Sequence, residues 1–470
     1  VPVVLDVHAG CIRRDVGQDL SVLIAGIGEY PAHHQPVREE RARRVVLGAV
    51  QRRGAVRTGR HRGPVDRDGG CAALTLGVGE AATGEGLGEE ASLLLRRSLS
   101  PQRVEEGHVA LRYLRDAGVF YRDYGSGANI ERSWPISHIP VLIDGKEWES
   151  VSRGLIQRAN LLEAVVADIY GENRLVQKGY IPPALIASNP EFLRPLVGTK
   201  PEGGHYLHFC SFEIGRGPDG NWWVLADRTQ APSGAGFALE NRVATTRAFS
   251  DIYAETHVHR LASFFGAFRD TLQAHRKHPE ERIAVLTPGP ANETYFEHAY
   301  IARYLGFMLL EGEDLTVVNG RVMVRTVAGL KPIGVLWRRL DASYSDPLGL
   351  DQNSRIGTPG LVQALRDGSV TIVNALGSGI LETRALLSFL PTISRHMLGE
   401  DLLLPSIATW WCGQKQEREH VARNIEKMVI GPAYSRMPFF DDNGQSVLGA
   451  TLRDTAKDSI GEWLATDGNK

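Results

Sequence analysis

Ile283-Ala284-Val285-Leu286-Thr287-Pro288-Gly289-Pro290-Ala291-Asn292-Glu293-Thr294 reads as a buried strand, a tight loop and the start of a helix that runs on to Leu305. Four apolar residues in a row, with no polar alternation, suit a strand covered on both faces. Working outward, the same grammar repeats. Leu315–Val318 and Arg321–Thr326 read as strands around Asn319-Gly320, a dipeptide that favours a tight hairpin turn. Val335-Leu336-Trp337-Arg338-Arg339 is a further strand, followed by a helix over 358–366, a strand over 370–373 and a helix over 381–396. Strands alternating with helices predict an α/β domain around a largely parallel sheet. Ligands of such sheets sit beyond the carboxyl ends of the strands, which selects 288–293, 338–341 and 374–379.

Toward the N-terminus, Leu155, Ala159, Leu162, Val166 and Ile169 share one face of an amphipathic helix that Gly171 can stop. Pro182-Pro183 marks a loop before a short helix. Residues 205–214 alternate like a strand, 215–221 form a turn, and Trp222-Trp223-Val224-Leu225-Ala226-Asp227 returns, giving a β-hairpin that ends in Asp227. Residues 242–273 read as largely helical. Residues 104–114 also have helical spacing, before a turn at Gly118 and a strand at Val119-Phe120-Tyr121.

The totals bound the function. A chain of 470 residues suits two to four domains. With 53 Lys and Arg against 55 Asp and Glu, the balance gives no reason to expect nucleic acid or an acidic surface as partner. No apolar run approaches the ~18–20 residues of a membrane helix. The N-terminus lacks the charge-then-apolar order of a signal peptide. Cys11, Cys71, Cys210 and Cys412 are far apart and form no Cys-x-x-Cys pair, which suits free thiols in a reducing cytoplasm.

Residues 1–95 differ in kind. They contain no Lys, Phe, Trp, Met or Asn, and Arg and Gly crowd together in stretches such as Arg57-Thr58-Gly59-Arg60-His61-Arg62-Gly63. So few large apolar anchors bury little area against the ordering entropy. Absence of order is one reading and a GC-rich gene read in a wrong frame another. A basic arm for nucleic acid is opposed by Glu39, Glu40, Asp66 and Asp68 and by the scarcity of aromatic residues. No site is expected here.

Several motifs can carry chemistry. In Asp227-Arg228-Thr229-Gln230-Ala231-Pro232-Ser233-Gly234-Ala235-Gly236, a carboxylate at a strand end precedes a cation and a Gly-rich turn. Asp227 can hold Mg²⁺, Arg228 can pair with phosphate, and the backbone N–H groups around Ser233 and Gly234 can cradle an anion. A tight turn in which Asp227 pairs with Arg228 explains the same residues. Glu240-Asn241-Arg242 offers oxygen ligands beside a fork donor, or an ordinary helix start. Asn292 and Glu293 either orient substrate at a helix N-terminus or cap it. Arg338 and Arg339, leaving an apolar strand, need anions: a substrate, or else Asp341 or Asp346. Gly377-Ser378-Gly379 permits close approach of a ligand to the backbone. His205/His208 and His257/His259 have rings that diverge, a poor basis for a metal site. Trp410-Trp411-Cys412-Gly413 suits packing.

Taken together, these motifs resemble the circularly permuted type 2 ATP-grasp family. The resemblance rests on Leu155-Ile156-Gln157-Arg158-Ala159-Asn160-Leu161-Leu162 and Ala167-Asp168-Ile169-Tyr170-Gly171, on the 227–236 run and on Glu240-Asn241-Arg242. It continues through 289–295, 374–380, Gly399-Glu400-Asp401-Leu402 and Thr409-Trp410-Trp411-Cys412-Gly413, over roughly residues 105–455. It implies α+β lobes around an α/β core: a permuted ATP-grasp lobe at 105–280, an internal pre-ATP-grasp domain at 281–397 and a second, truncated lobe at 398–470, with 1–104 left as the atypical segment. It further implies an ATP-dependent carboxylate–amine ligase, like glutathionylspermidine synthetase-like relatives, using Mg²⁺ and an acyl phosphate. Small-molecule acid and amine would be the substrates, and a partner protein can be needed to complete the site. Asp227 and Glu240 would hold the metal. Arg228, Ser233, Gly234, Asn241, Arg242, Gly377, Ser378 and Gly379 would hold the nucleotide, and Arg338, Arg339, Asn292 and Glu293 would act on the substrates. Two departures point instead to a non-catalytic nucleotide-binding or assembly protein. Ala226-Asp227-Arg228 stands where relatives have Glu-Asp-Asn, and Gly431 stands where relatives carry Lys or Arg, leaving Lys427 or Arg436 to substitute.

Overall fold

The computed structural model describes residues 7–13, 20–25, 101–123, 130–134, 136, 143–217, 220–256, 258–434 and 446–449. The Arg- and Gly-rich run at 52–63, His257, Arg436 and the C-terminal stretch from 450 lie outside the described residues.

Strands β1 (Val7–Arg13) and β2 (Leu20–Ala25) form a hairpin, and β1 also pairs antiparallel with β5 (Phe209–Arg216). Disorder or weak order is one of the two readings of the composition of 1–95, and these two strands depart from it. A sheet ladder is made by main-chain groups and needs no large side chains. Helix Pro101–Asp116 precedes the short pair β3 (Phe120–Asp123) and β4 (Ile130–Ser133). The helix expected around Leu155 is longer than its apolar stripe, Gly145–Tyr170, because Asp144 caps it by accepting from the Lys146 and Glu147 N–H groups.

The predicted hairpin is present as β5 and β6 (Trp222–Arg228), completing an antiparallel sheet in the order β2-β1-β5-β6. The largely helical stretch expected over 242–273 is present as three helices, Ala235–Ala248, Ser250–Thr256 and Ala262–Ala274.

The second sheet has a parallel core, β8 (Met308–Leu310), β7 (Arg282–Leu286), β11 (Gly329–Arg338) and β12 (Thr371–Val373). The amino half of β11 pairs antiparallel with β10 (Arg321–Thr326), which pairs with β9 (Leu315–Val318). Asn319 and Gly320 between them have φ of 51° and 73°, the turn expected of that dipeptide. Alternation along the parallel strands sorts the core. Ala284, Leu286, Leu336 and Ile372 join the large cluster containing the Gly145–Tyr170 helix. Ile283, Val285, Val335, Trp337 and Val373 face Phe264, Phe265, Phe268, Ile301 and Leu305 from the 262–274 and 295–305 helices. Both faces are covered, as the unbroken apolar run at 283–286 predicts. The helix expected over 381–396 is instead two 3-10 turns and a helix at Leu390–Met397, with Pro391 in its first turn. A last antiparallel pair joins β13 (Val429–Ile430) to β14 (Val447–Leu448). No helix among the described residues is long and apolar enough to cross a membrane.

Candidate functional site

The carboxyl edge of the parallel sheet is where a ligand was expected, and the protein's own chain occupies much of it. Asn374, following β12, accepts from the His208 and Phe209 N–H groups at 2.8 and 2.9 Å and donates to the Phe209 and Thr229 carbonyls at 2.6 and 2.7 Å. Ser378 Oγ donates to the Thr229 carbonyl and Thr229 Oγ1 to the Ser378 carbonyl, each at 2.9 Å. Gly377, Ser378 and Gly379 are all buried. A Cβ on Gly377 would fall 2.5 Å from the Tyr170 ring and hydroxyl, and one on Gly379 2.7 Å from Glu191 Oε2. The close approach expected of this loop is made by the protein itself.

The two strand-end arginines are buried in the same joint. Arg338 donates to the Gln230 carbonyl at 2.7 Å and to the Leu340 carbonyl, while its Nε finds no acceptor. Burial pulls its pKa down to about 10, against the opposing pull of Asp341, Glu191 and Glu382. Arg339 donates to the Pro232 carbonyl and, at 3.1 Å, to Glu297 Oε1, and lies over the Trp337 ring. Neither pairs as expected with Asp346, whose carboxylate accepts from the Leu348, Gly360 and Val362 N–H groups.

The Gly-rich turn does cradle an anion, but an internal one. Glu297 Oε2 accepts from the Gly234 N–H at 2.5 Å, and a Cβ on Gly236 would meet Glu297 Cγ at 2.8 Å. Gly234 takes a φ of 108° at the start of the Ala235–Ala248 helix. Burial raises the Glu297 pKa, opposed by Arg339 and the two glycine N–H groups. The adjoining His298 ring sits between Thr287 Oγ1 at 2.9 Å and Thr294 Oγ1 at 3.2 Å, and burial, then Arg339, hold its pKa well below 6.5. Asn292 accepts from the Thr294 N–H and hydroxyl, a turn-forming role, and Glu293 beside it is half-buried.

Asp227 is not placed as a metal ligand. It lies on the hairpin face that Phe212 and Val224 turn to the Gly145–Tyr170 helix, and there both its oxygens are gripped by Arg158, Nε at 2.6 Å and Nη2 at 2.8 Å. Both side chains are buried, and Arg158 Nη1 also reaches Ser406 Oγ at 2.8 Å. Glu240 has other neighbours, accepting from the hydroxyls of Tyr113 and Tyr300, so it shares no metal partner set with Asp227. Asn241 accepts from the Trp134 indole N–H, and Arg242 donates to the His259 carbonyl above the Tyr253 ring. Among the described residues, no group of three or more His, Cys, Asp or Glu is arranged to hold a metal.

What remains open is a charged cluster at the end of the hairpin. Arg228, one residue on, points to the opposite face from Asp227 and is 45% exposed; it donates through Nε to Glu213 Oε1 at 2.7 Å and lies 4.0 Å from Glu382. Glu382 also accepts from the Thr229 and Gln230 N–H groups at 2.7 and 2.6 Å. Burial raises its pKa, Arg228 and these N–H groups lower it, and Asp341 adds to the rise. Exposed Asp341 is thus within the same field. Arg384 reaches Ser446 nearby, and both Arg228 and Glu213 act on its charge. Of the expected site residues, only Arg228 stands in this cluster. Glu213, Glu382 and Arg384 were missed; the alternation of the hairpin could have found Glu213, but nothing local marks the other two.

Residues 140–470 match the family described as circularly permuted ATP-grasp type 2. An uncharacterized protein of Mycobacterium tuberculosis is 38% identical over 321 residues, 68% of this chain and 35% of that protein. One of Synechocystis is 33% identical over 340 residues, 71% of this chain and 70% of that one, and one of Mycobacterium leprae is 33% identical over 343 residues, covering 71% and 61%. The solved structure of a glutathione synthetase-like effector from Globodera pallida aligns at a TM-score of 0.48 and 13% identity over 79% of this chain and 80% of that one. The chain belongs to the circularly permuted ATP-grasp type 2 family. It spans about a third of the length of the Mycobacterium tuberculosis relative.

Proposed function

We propose that the protein is an ATP-dependent ligase that joins a carboxylate to an amine, with the nucleotide's phosphates at Arg228. Family membership supports the reaction class, and the observation that carries the placement is the cluster at the hairpin end, exposed at Arg228 and Asp341 and largely covered at Glu213 and Glu382. The donor set fits Mg-ATP. Mg²⁺ takes hard oxygens, commonly one or two carboxylates with substrate phosphates completing its shell. Glu213 and Glu382 would supply the carboxylates, and Arg228 beside them would supply a planar fork for phosphate. In this chemistry a carboxylate oxygen attacks the terminal phosphorus and ADP leaves. The amine nitrogen then attacks the acyl carbon, phosphate leaves, and the amine gives up a proton. Arg228 neutralises charge on the transferred group, and such positioned charge supplies most of the rate in phosphoryl transfer. The buried joint of Asn374, Ser378 and Arg338 acts indirectly, by fixing Thr229 and Gln230 and so the Glu382 carboxylate that their N–H groups hold.

The test is calorimetric titration with Mg-ATP alongside an ADP-release assay over carboxylates and amines. Losing one charge-assisted contact, Arg228→Met should weaken binding by about tenfold or more. A wild-type protein that binds no nucleotide removes the proposal. A second reading, nucleotide binding without turnover, draws on the Arg158 grip on Asp227 and on the lack of a three-ligand group among the described residues. Binding without ADP release selects it.

A further inference from the structure

In the terminal hairpin Val429 pairs with Leu448 and Ile430 with Val447, so the next positions, Gly431 and Ser446, face each other. Arg384 comes to this point from the 3-10 turn Arg384–Ser388, and its Nη1 donates to Ser446 Oγ at 2.5 Å. A Cβ on Gly431 would lie 2.3 Å from that Oγ and 2.8 Å from Arg384 Nη1. Gly431 is absent from the residues with positive φ, so its backbone has no conformational need for glycine. Its missing side chain serves space alone, and the space is taken by the Arg384–Ser446 contact.

Arg384 is also close enough to Arg228 for the two charges to oppose one another. Partial burial, then Arg228, lower its pKa, and Glu213 raises it. Two guanidinium groups from separate parts of the chain thus converge on one edge, where the Glu213 carboxylate offsets part of their repulsion. Each is a fork donor of the kind that holds phosphate bidentately.

We propose that Arg384, docked on Ser446 in the space left by Gly431, is a second phosphate-binding residue of the site at Arg228. The assignment rests on the nucleotide reading above and adds a wall to it: the terminal hairpin carries no cation of its own at 431 but holds one supplied by the 384 segment.

The test titrates Mg-ATP and, separately, inorganic tripolyphosphate into wild type, Arg384→Met, Arg384→Gln and Gly431→Ala, with thermal unfolding of each. Loss of a charge-assisted contact predicts about tenfold or more weaker binding of both ligands by R384M and R384Q. G431A keeps the arginine but displaces it, and should weaken both ligands in the same direction. Wild-type affinity in R384M overturns the assignment; if R384M does not fold, wild-type affinity in both R384Q and G431A does so. Tripolyphosphate binding without ATP binding sinks the nucleotide reading, and its loss in the Arg384 variants still supports the anion site. A wild-type protein that binds neither ligand overturns both.

Discussion

Asp227 and Arg228 are adjacent, and the strand's period of two sends them to opposite faces. The first becomes half of a buried bidentate ion pair, the second the exposed arginine of a partly covered charged cluster. Breaking a buried pair by removing one partner leaves a desolvated charge. Asp227→Asn should therefore lower unfolding free energy by about 3–5 kcal/mol in urea titrations, and Arg158→Met with Asp227→Leu should recover part of the loss. A metal ligand would behave otherwise, losing nucleotide affinity with stability unchanged. Gly377 is a second residue whose role is geometric. Its φ of 92° and the Tyr170 ring 2.5 Å from a Cβ leave no room for a side chain. Gly377→Ala should cost roughly 2 kcal/mol or more in the same measurement. The sequence marked both glycine and aspartate as special. It did not reveal that Arg158 and Tyr170, on a helix far away in the chain, are the reasons.

At the level of elements, the turn at 233–236 is joined to the Tyr295–Leu305 helix through Glu297, which accepts from the Gly234 N–H and pairs with Arg339 at the end of β11, with the neutral His298 beside it. The histidine has a sign-definite consequence. Above pH 6.5 the ring is neutral in folded and unfolded chains alike. Below it the unfolded chain takes up a proton that the buried ring refuses, so stability falls with falling pH. Glu297, with a raised pKa, is common to wild type and to a His298→Gln variant and drops out of their difference. The stability gap between the two should thus narrow as pH is lowered from about 7 to 5 in chemical denaturation, and a constant gap would refute the neutral buried ring. Elements fixed by local chemistry were legible: the Asn319-Gly320 turn, the 283–286 strand and the hairpin ending near Asp227. The helix expected over 381–396 was not, because Pro391 and the tight packing of Gly377 and Gly379 impose 3-10 turns that apolar spacing does not encode.

For the molecule as a whole, the proposed site draws on the β5–β6 hairpin, the 378–388 turns and the terminal hairpin, elements far apart in the chain. A ligand gripping all three stabilises the folded state by mass action. Saturation with Mg-ATP at about a hundred times its Kd should add about 2.7 kcal/mol, seen as a rise in melting temperature that a tenfold weaker Arg228→Met cuts to about half at the same concentration. An unchanged melting temperature in wild type at saturation would contradict a site shared among these elements. The sequence by itself determined the α/β alternation, the hairpin and the family, because these depend on periodicity and on motifs read along the chain. Only the tertiary structure decided which charges meet. Arg158 found Asp227, Arg339 found Glu297, and Arg338 found backbone carbonyls, leaving Arg228 and Arg384 at the open edge. A charged side chain's role is set by the partners within a few ångströms, and neighbours in space are not encoded by neighbours in sequence.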